Sequence, residues 1–528
     1  MSSKVFKISM VAATVAASFS ASAALYNVYH SAPEGTQYPT YGSAISELGG
    51  DCWDGMTCDD STSTLVSEVK RYQEGFLYRD ESPFSIAKGY YYLNRGSKGF
   101  DEYCDRYLGY SDKVCDSWVS TQYWSGYSKE ESGNYQGSFV YVGEGSQALF
   151  DENSVVNSLS ETLIPVGNTR SGSDYRNLGF IDTTLDSPSG SDFKSSQYWQ
   201  SKQLVAGAFT VGSITRNNAG DNDEYTSKPT IWKNGIKSEI NWFGKDASEG
   251  DFLAQGGVRA IYEDSSNSSS LFAVGYTSDK DVRLRAAVFI SSDGGESWTT
   301  KLVDGFPYGS SEYANQILVD VNDSGVAIGT AKVSEGENGA YPNAPFYVTD
   351  VSSPVYKSFS GPIFFSGVGA TLGAINNNNN VVGTIDFEQT REIDGAPRAQ
   401  KAFIAPIENA ANKDIFEGRA WFLDDLTNGI ESNNAYRIVE ASDINDAGII
   451  SGTAYYCSTG YNNSAIDVTK SDCSGNESLV AVKLVPISDE AQRSIQPRER
   501  SETKVERQGA GFGILSLTLL GLLGFRRK

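Results

Sequence analysis

The chain has a single histidine, His30, in 528 residues. A Ser-His-Asp triad is therefore excluded everywhere except around that one residue, and a His-Glu-x-x-His zinc helix is excluded outright. No Gly-x-Ser-x-Gly elbow and no phosphate-cradling Gly-Lys-Ser/Thr loop occurs. Basic residues are outnumbered, 43 Lys and Arg against 66 Asp and Glu, for a net charge of −23. Nucleic-acid partners are thereby disfavoured, because phosphate contacts need Lys and Arg. Methionine (3) and proline (15) are sparse, while aromatics reach 12 % with Tyr (30) ahead of Phe (25). Such a chain is folded rather than disordered and suits strands better than helix bundles.

Cysteine is scarce too. The six fall in three close pairs, Cys52/Cys58, Cys104/Cys115 and Cys457/Cys473, and no Cys-x-x-Cys is present. Three local disulfides are expected, each pinning a loop; with one histidine in the chain, metal binding is the weaker alternative. No metal site and no cofactor is expected. His30 reads as an ordinary strand or surface residue. Carboxylates are plentiful, but no spacing singles out a glycosidase pair. Asp320-Val-Asn322-Asp-Ser324-Gly325 and Asp443-Ile-Asn445-Asp-Ala447-Gly448 imitate the opening of a Ca²⁺ loop. Both lack the bidentate Glu, since Ala331 and Ala454 stand there, so they read as hairpin turns. Asp221 to Glu224 reads as an exposed acidic loop.

What is present is a repeat. Val319–Ala331, Gly373–Ile385 and Ser442–Ala454 are nearly superimposable. Each reads strand, tight turn, strand, then Gly-Thr. The turn residues are Asn322 and Gly325, Asn376 and Asn379, and Asn445 and Gly448. Gly, or Asn at position 379, supplies the left-handed backbone that hairpins require. The Gly of Gly-Thr serves as a ruler: Gly329, Gly383 and Gly452 have weaker counterparts at Gly275, Gly207, Gly143 and Gly89. A unit of roughly 50–70 residues with three or four short strands is a propeller blade. The expectation is an all-β propeller of about seven blades, with six or eight also compatible, plus a short C-terminal apolar helix. A β-sandwich array or β-solenoid is the alternative. Ser291-x-Asp293-x-Gly295-x-x-Trp298 adds an Asp-box, a structural hairpin that recurs in sialidase-like propellers. Tyr90 to Tyr92, Tyr103, Tyr107, Tyr110, Tyr123, Trp124 and Tyr127 make the N-terminal third aromatic. They read chiefly as the packing of a Cys-stapled blade and otherwise as a sugar platform.

The ends supply an address. Lys4 and Lys7, an apolar run from Ile8 to Phe19 and Ala21-Ser22-Ala23 form a secretory signal cut after Ala23. At the other end Gly509-Ala510-Gly511, an apolar run from Phe512 to Phe525 and Arg526-Arg527-Lys528 form a tripartite tail. The apolar run is shorter than the roughly 20 residues of a full span, and the terminal charges favour the cytoplasmic side. The organisation expected is a signal peptide (1–23), a propeller body (24–487), a polar, solvated linker (488–508) and the tail (509–528). Within the body, 24–135 is Cys- and Tyr-rich and 136–487 carries the clearer repeats.

The tail resembles the glycine-rich sorting signals read by intramembrane rhomboid-like proteases, with Gly-Ala-Gly in place of Gly-Gly. The Asn-Asp-x-Gly strand pairs followed by runs such as Lys401-Ala-Phe-Ile404 resemble the HAF repeat of bacterial extracellular proteins. Together with the Ala-Leu-Tyr-x-Val start at Ala24, they resemble a domain-of-unknown-function family of exported gammaproteobacterial proteins. That resemblance implies a secreted propeller with no assigned activity. The location expected is the periplasm, outer surface or medium, with a membrane tether through the tail. Expected partners are the export machinery, a sorting protease and an unknown protein or glycan ligand. Two functions follow. The first is a non-enzymatic binding or scaffolding module; the second is a secreted glycan-processing enzyme of sialidase or lyase type, which would need an arginine cluster at the ring centre.

Overall fold

The structure, a computed structural model, describes residues 24–500 apart from 32, 34–38, 71–94, 106–111, 146, 219–220, 245–247, 250–251, 282, 308, 310–312, 334–341, 390–397, 464 and 467–472. The signal segment, the tail with Gly509, Gly511 and Arg526 to Lys528, Gly89 and Tyr90 to Tyr92 lie outside the described residues, as do Tyr107 and Tyr110.

Seven antiparallel sheets make a seven-bladed propeller. Blade 1 is Thr40–Ile45, Leu65–Lys70 and Ser138–Val142. Blade 2 runs from Ser154–Leu159 to Thr184–Leu185 and blade 3 from Phe193–Leu204 to Ile236–Glu239. Blade 4 runs from Gly256–Glu263 to Thr299–Leu302 and blade 5 from Tyr313–Val321 to Lys357–Ser358. Blade 6 runs from Ala370–Ile375 to Trp421–Phe422. Blade 7 takes Tyr436–Ile444, Ile450–Cys457 and Glu477–Pro486 from the C-terminal end and its outer strand, Tyr26–Ser31, from the N-terminal end. Tyr26 faces Pro486 and Ser31 faces Ala481 in that pairing. One chain end thus clasps the other.

The glycine ruler has a steric cause. In every blade the inner strand carries a bulge at the same height, at Ser43, Asn157, Trp199, Arg259, Val319, Gly373 and Ser442. The residue before the bulge faces Gly167, Gly212, Gly275, Gly329, Gly383 or Gly452 in blades 2 to 7. A Cβ on any of these six would enter a backbone carbonyl of the inner strand, that of Thr371 in the case of Gly383. Bulging tightens the local twist and pushes that carbonyl across the ladder. The expected markers hold for blades 4 to 7 and need correction before that. Gly207 opens the second strand of blade 3, at φ 141° against Asn234; the blade 3 marker is Gly212. Blade 2 uses Gly167, and Gly143 only follows the third strand of blade 1. In blade 1 the glycine, Gly42, sits on the inner strand itself and faces Ser67.

Two further expectations are corrected. Asp221 to Glu224 begin a strand, Asp221–Lys233, instead of an acidic loop. The polar stretch from Ser488 is not a free linker through residue 500. Arg498 is 2 % exposed and donates to the Asp424 carbonyl, while Asp425 accepts from the Arg498 N–H and the Arg500 guanidinium. Ile495 packs on the core of blades 6 and 7. Charge here marks paired side chains over a buried carboxylate, so polarity alone misread the segment. No described helix is long and apolar enough to cross a membrane.

Candidate functional site: the ring opening and its cap

The inner strands surround a central opening, and each of its ends is built from named side chains. At the end where inner strands turn into second strands, three Asn-led hairpins stitch the blades together. Asn322 Oδ1 accepts from the Val326 N–H of its own turn, and its Nδ2 donates to the Asn376 carbonyl of the next blade, at 3.1 and 3.0 Å. Asn376 does the same with Asn380 N–H and the Asn445 carbonyl, and Asn445 with Ile449 N–H and the Ser46 carbonyl, each at 3.0 Å. One amide thus closes its own hairpin with its oxygen and binds the neighbour with its nitrogen. Gly325, Asn379 and Gly448 hold the positive φ of the three turns, at 73°, 58° and 82°.

Asp320 and Asp443 brace the same blades. Asp320 accepts from the N–H groups of Ile375 and Val321, at 2.9 and 2.8 Å. Asp443 accepts from those of Ile45 and Ile444, at 3.0 and 2.8 Å. Burial pushes Asp320 up to about 6 and Asp443 to about 7, against the pull of those donors. Each oxygen of both carboxylates accepts a backbone N–H, which fixes these aspartates as braces between neighbouring blades. Across the opening Lys202 of blade 3 meets Asp323 of blade 5 at 3.2 Å. Burial works against the Lys202 charge, but Asp323 and Glu47 outweigh it and its pKa is raised. Asn377 donates to both Asp323 and Asp446, at 3.0 and 2.8 Å. This end is a polar stopper.

The opposite end carries what the sequence reading missed. Between the second and third strands of blade 1 the chain inserts Gly96–Tyr103, Asp112–Val119, a π-helical stretch Ser120–Tyr127 and Ser128–Glu131. The disulfide Cys104 to Cys115 staples the first helix to the second. Phe100, 1 % exposed, packs with Val119 against Tyr276 and Leu284 of blade 4 and Ile317 of blade 5. Glu130 reaches Arg170 at 2.7 Å and Arg176 at 3.0 Å on blade 2. A segment that leaves blade 1 and rests on blades 2, 4 and 5 has to cross the ring opening. Among the described residues, Tyr123, Trp124 and Tyr127 therefore belong to a helical cap and not to a Cys-stapled blade. Its signal was the i, i+4 run Cys115, Val119, Tyr123, Tyr127. Glu130→Ala removes the carboxylate that holds both Arg170 and Arg176 at that latch. Breaking a buried pair costs about 3–5 kcal/mol, so hydrogen exchange in 95–131 should speed up while the blades keep their protection. Unchanged exchange in the cap would refute the latch.

Other expected residues sit away from the opening. Cys52–Cys58 pins the long turn of blade 1, and Cys457–Cys473 ties the second strand of blade 7 to its following loop. In the Asp-box, Asp293 Oδ1 accepts from the N–H groups of Glu296 and Ser297, both at 3.0 Å, and the Ser291 hydroxyl caps Gly295 N–H at 2.8 Å. The Ser297 hydroxyl and then the Ser291 hydroxyl, both donating to the Asp293 carboxylate, hold it well below its ordinary range, and Trp298 packs on the core of blades 3 and 4. His30 lies on the exposed side of the clasp strand, its Nδ1 2.6 Å from the Tyr436 hydroxyl and its ring 4.7 Å from Tyr456. Burial lowers its pKa. It closes the seam between the clasp strand and blade 7. Among the described residues no group of three or more His, Cys, Asp or Glu could hold a metal.

The sequence profile of a family described as a protein of unknown function (DUF3466) matches residues 265–528, from the first turn of blade 4 to the last residue. The chain belongs to this family. Blades 1 to 3 and the cap lie outside the matched residues. No curated protein matches the chain. Among solved structures, an α-L-arabinofuranosidase of Podospora anserina in complex with cellotriose is similar at 11 % identity and TM-score 0.23, over 55 % of this chain and 90 % of that one. The sialidase of Trypanosoma rangeli in complex with sialic acid is similar at 10 % identity and TM-score 0.30, over 61 % of this chain and 52 % of that one. The Hadza microbial sialidase Hz136 is similar at 10 % identity and TM-score 0.32, over 66 % and 73 %. Likeness at that level carries no argument about activity.

Proposed function

We infer that this propeller is an exported binding or scaffolding module of the cell envelope and not a hydrolase. The observation that carries this reading is the cap, which buries Phe100 against two blades across the opening where a propeller enzyme would admit substrate. The arginines around that opening are committed. Arg170 and Arg176 hold Glu130, Arg285 donates to Gln316, and Arg259 lies 3.5 Å over the Trp199 ring, 5 % exposed. A clamp for an acidic sugar needs guanidinium groups that converge on open space, so this arrangement supports binding over sialidase-type chemistry. Three disulfides fit an oxidising compartment outside the cytoplasm. The signal, the sorting tail and a tether through it belong to the same proposal.

The test uses purified mature protein in two assays: a panel of aryl glycosides and sialosides, and pull-down from envelope extract. The expected result is capture of a specific partner with no turnover. Reproducible turnover that survives repurification would overturn the reading.

A further inference from the structure

The cap carries a side chain whose placement no packing role explains. Trp124 is 60 % exposed. Burying an indole is favourable, and the chain forgoes most of that gain. The ring nevertheless has a packing partner. Tyr123 meets it edge-on, with centroids 4.8 Å apart and planes at 80°. Tyr123 in turn packs on Phe100 at 5.3 Å and donates its hydroxyl to Glu131 Oε2 at 2.8 Å. The Ser128 hydroxyl donates to the Trp124 carbonyl at 2.9 Å. All of this stands on a π-helical stretch, Ser120–Tyr127, a geometry that is rare and frequently sits at functional sites. Val205 and Ile236, also exposed, stand at hairpins.

A flat, exposed aromatic ring, linked through Tyr123 to the exposed Glu131 carboxylate, suits one ligand chemistry. The apolar C–H face of a pyranose lies on the indole, and a ring hydroxyl donates to Glu131. The brace lowers the entropy cost of ordering the anchor. Charge narrows the class. Glu131 at the site and the net charge of −23 disfavour acidic sugars. We propose that Trp124, with Glu131, is the platform of a neutral-glycan binding site on the outer surface of the cap. This rests on the binding-module reading above and gives that module a ligand class.

Calorimetric titration of the purified mature protein decides it, with cellohexaose, maltohexaose and chitohexaose as neutral probes and 3′-sialyllactose as the acidic one. The expected result is saturable binding of at least one neutral oligosaccharide, with none of the sialoside. Trp124→Ala should weaken that binding at least tenfold, and Trp124→Phe less. Trp124 is mostly exposed, so both variants should melt with the parent. Three outcomes overturn the site: no neutral probe binds, the sialoside binds best, or Trp124→Ala binds like the parent. If no glycan binds while pull-down still captures a partner equally with the parent and Trp124→Ala, the platform fails and the module reading stands.

Discussion

Protein lacking residues 24–31 should not assemble a closed ring. The segment supplies the outer strand of blade 7 and buries Leu25, Tyr26 and Val28 at 2 %, 0 % and 7 % exposure. It also brings Asn433 into register, whose side chain donates to the Tyr26 carbonyl and accepts from the Val28 N–H, at 2.8 and 3.1 Å. Three buried side chains at roughly 1.5–3 kcal/mol each amount to about 5–9 kcal/mol. That is comparable with the whole stability of an ordinary domain, about 5–15 kcal/mol. The truncated protein should run as an expanded or aggregated species in gel filtration and show no cooperative melt. A synthetic peptide of residues 24–31 should restore compactness in part. A truncated protein with the parent melting temperature would show that the clasp is dispensable.

The second large effect concerns Gly383→Val. Extra bulk in a packed core costs about 1–3 kcal/mol when side chains can yield. Here the obstacle is the carbonyl of Thr371, fixed by the bulge and the ladder, with the Phe403 ring behind it. The loss should reach or exceed the top of that range and be read as a lowered denaturation midpoint. Gly49→Ala is the control, since nothing approaches within 4 Å of its would-be Cβ; it should stay within about 0.5 kcal/mol of the parent. Equal midpoints for the two variants would dismiss the steric account of the marker glycines.

The repeat was legible where sequence spells out a local requirement. Asn322, Asn376 and Asn445 announce hairpins because their turns need side-chain caps and positive φ, and the three cysteine pairs close within their own loops. Legibility failed where the requirement lies in pairing. Gly207 and Gly212 are both small residues in apolar surroundings, and only the register, Tyr198 opposite Gly212, says which one a carbonyl presses on. The cap was hidden for another reason. Its helices are rich in Ser, Gly and Tyr, poor helix formers, and are held by Cys104–Cys115 and by packing on distant blades. The stretch after Ser488 showed the limit of polarity as a guide, since Arg498 is charged and buried over Asp425. Interblade stitching by the Asn nitrogens was out of reach, because its acceptors are carbonyls of the next repeat.

The clasp also sets a schedule. The clasp strand pairs with a strand made much later, Glu477–Pro486, and the bond from Asn433 to Tyr26 spans a sequence separation of 407. Chain-closure entropy rises only logarithmically with loop length, so the long reach burdens the folding rate more than the final stability. Until Tyr26–Ser31 arrives, Glu477–Pro486 presents one bare edge rich in valine, leucine and alanine. A bare strand edge of that composition pairs readily with other chains. The interval between synthesis of Glu477–Pro486 and ring closure is therefore when aggregation competes, and a factor that shields that edge during folding would raise the yield of native protein without stabilising it.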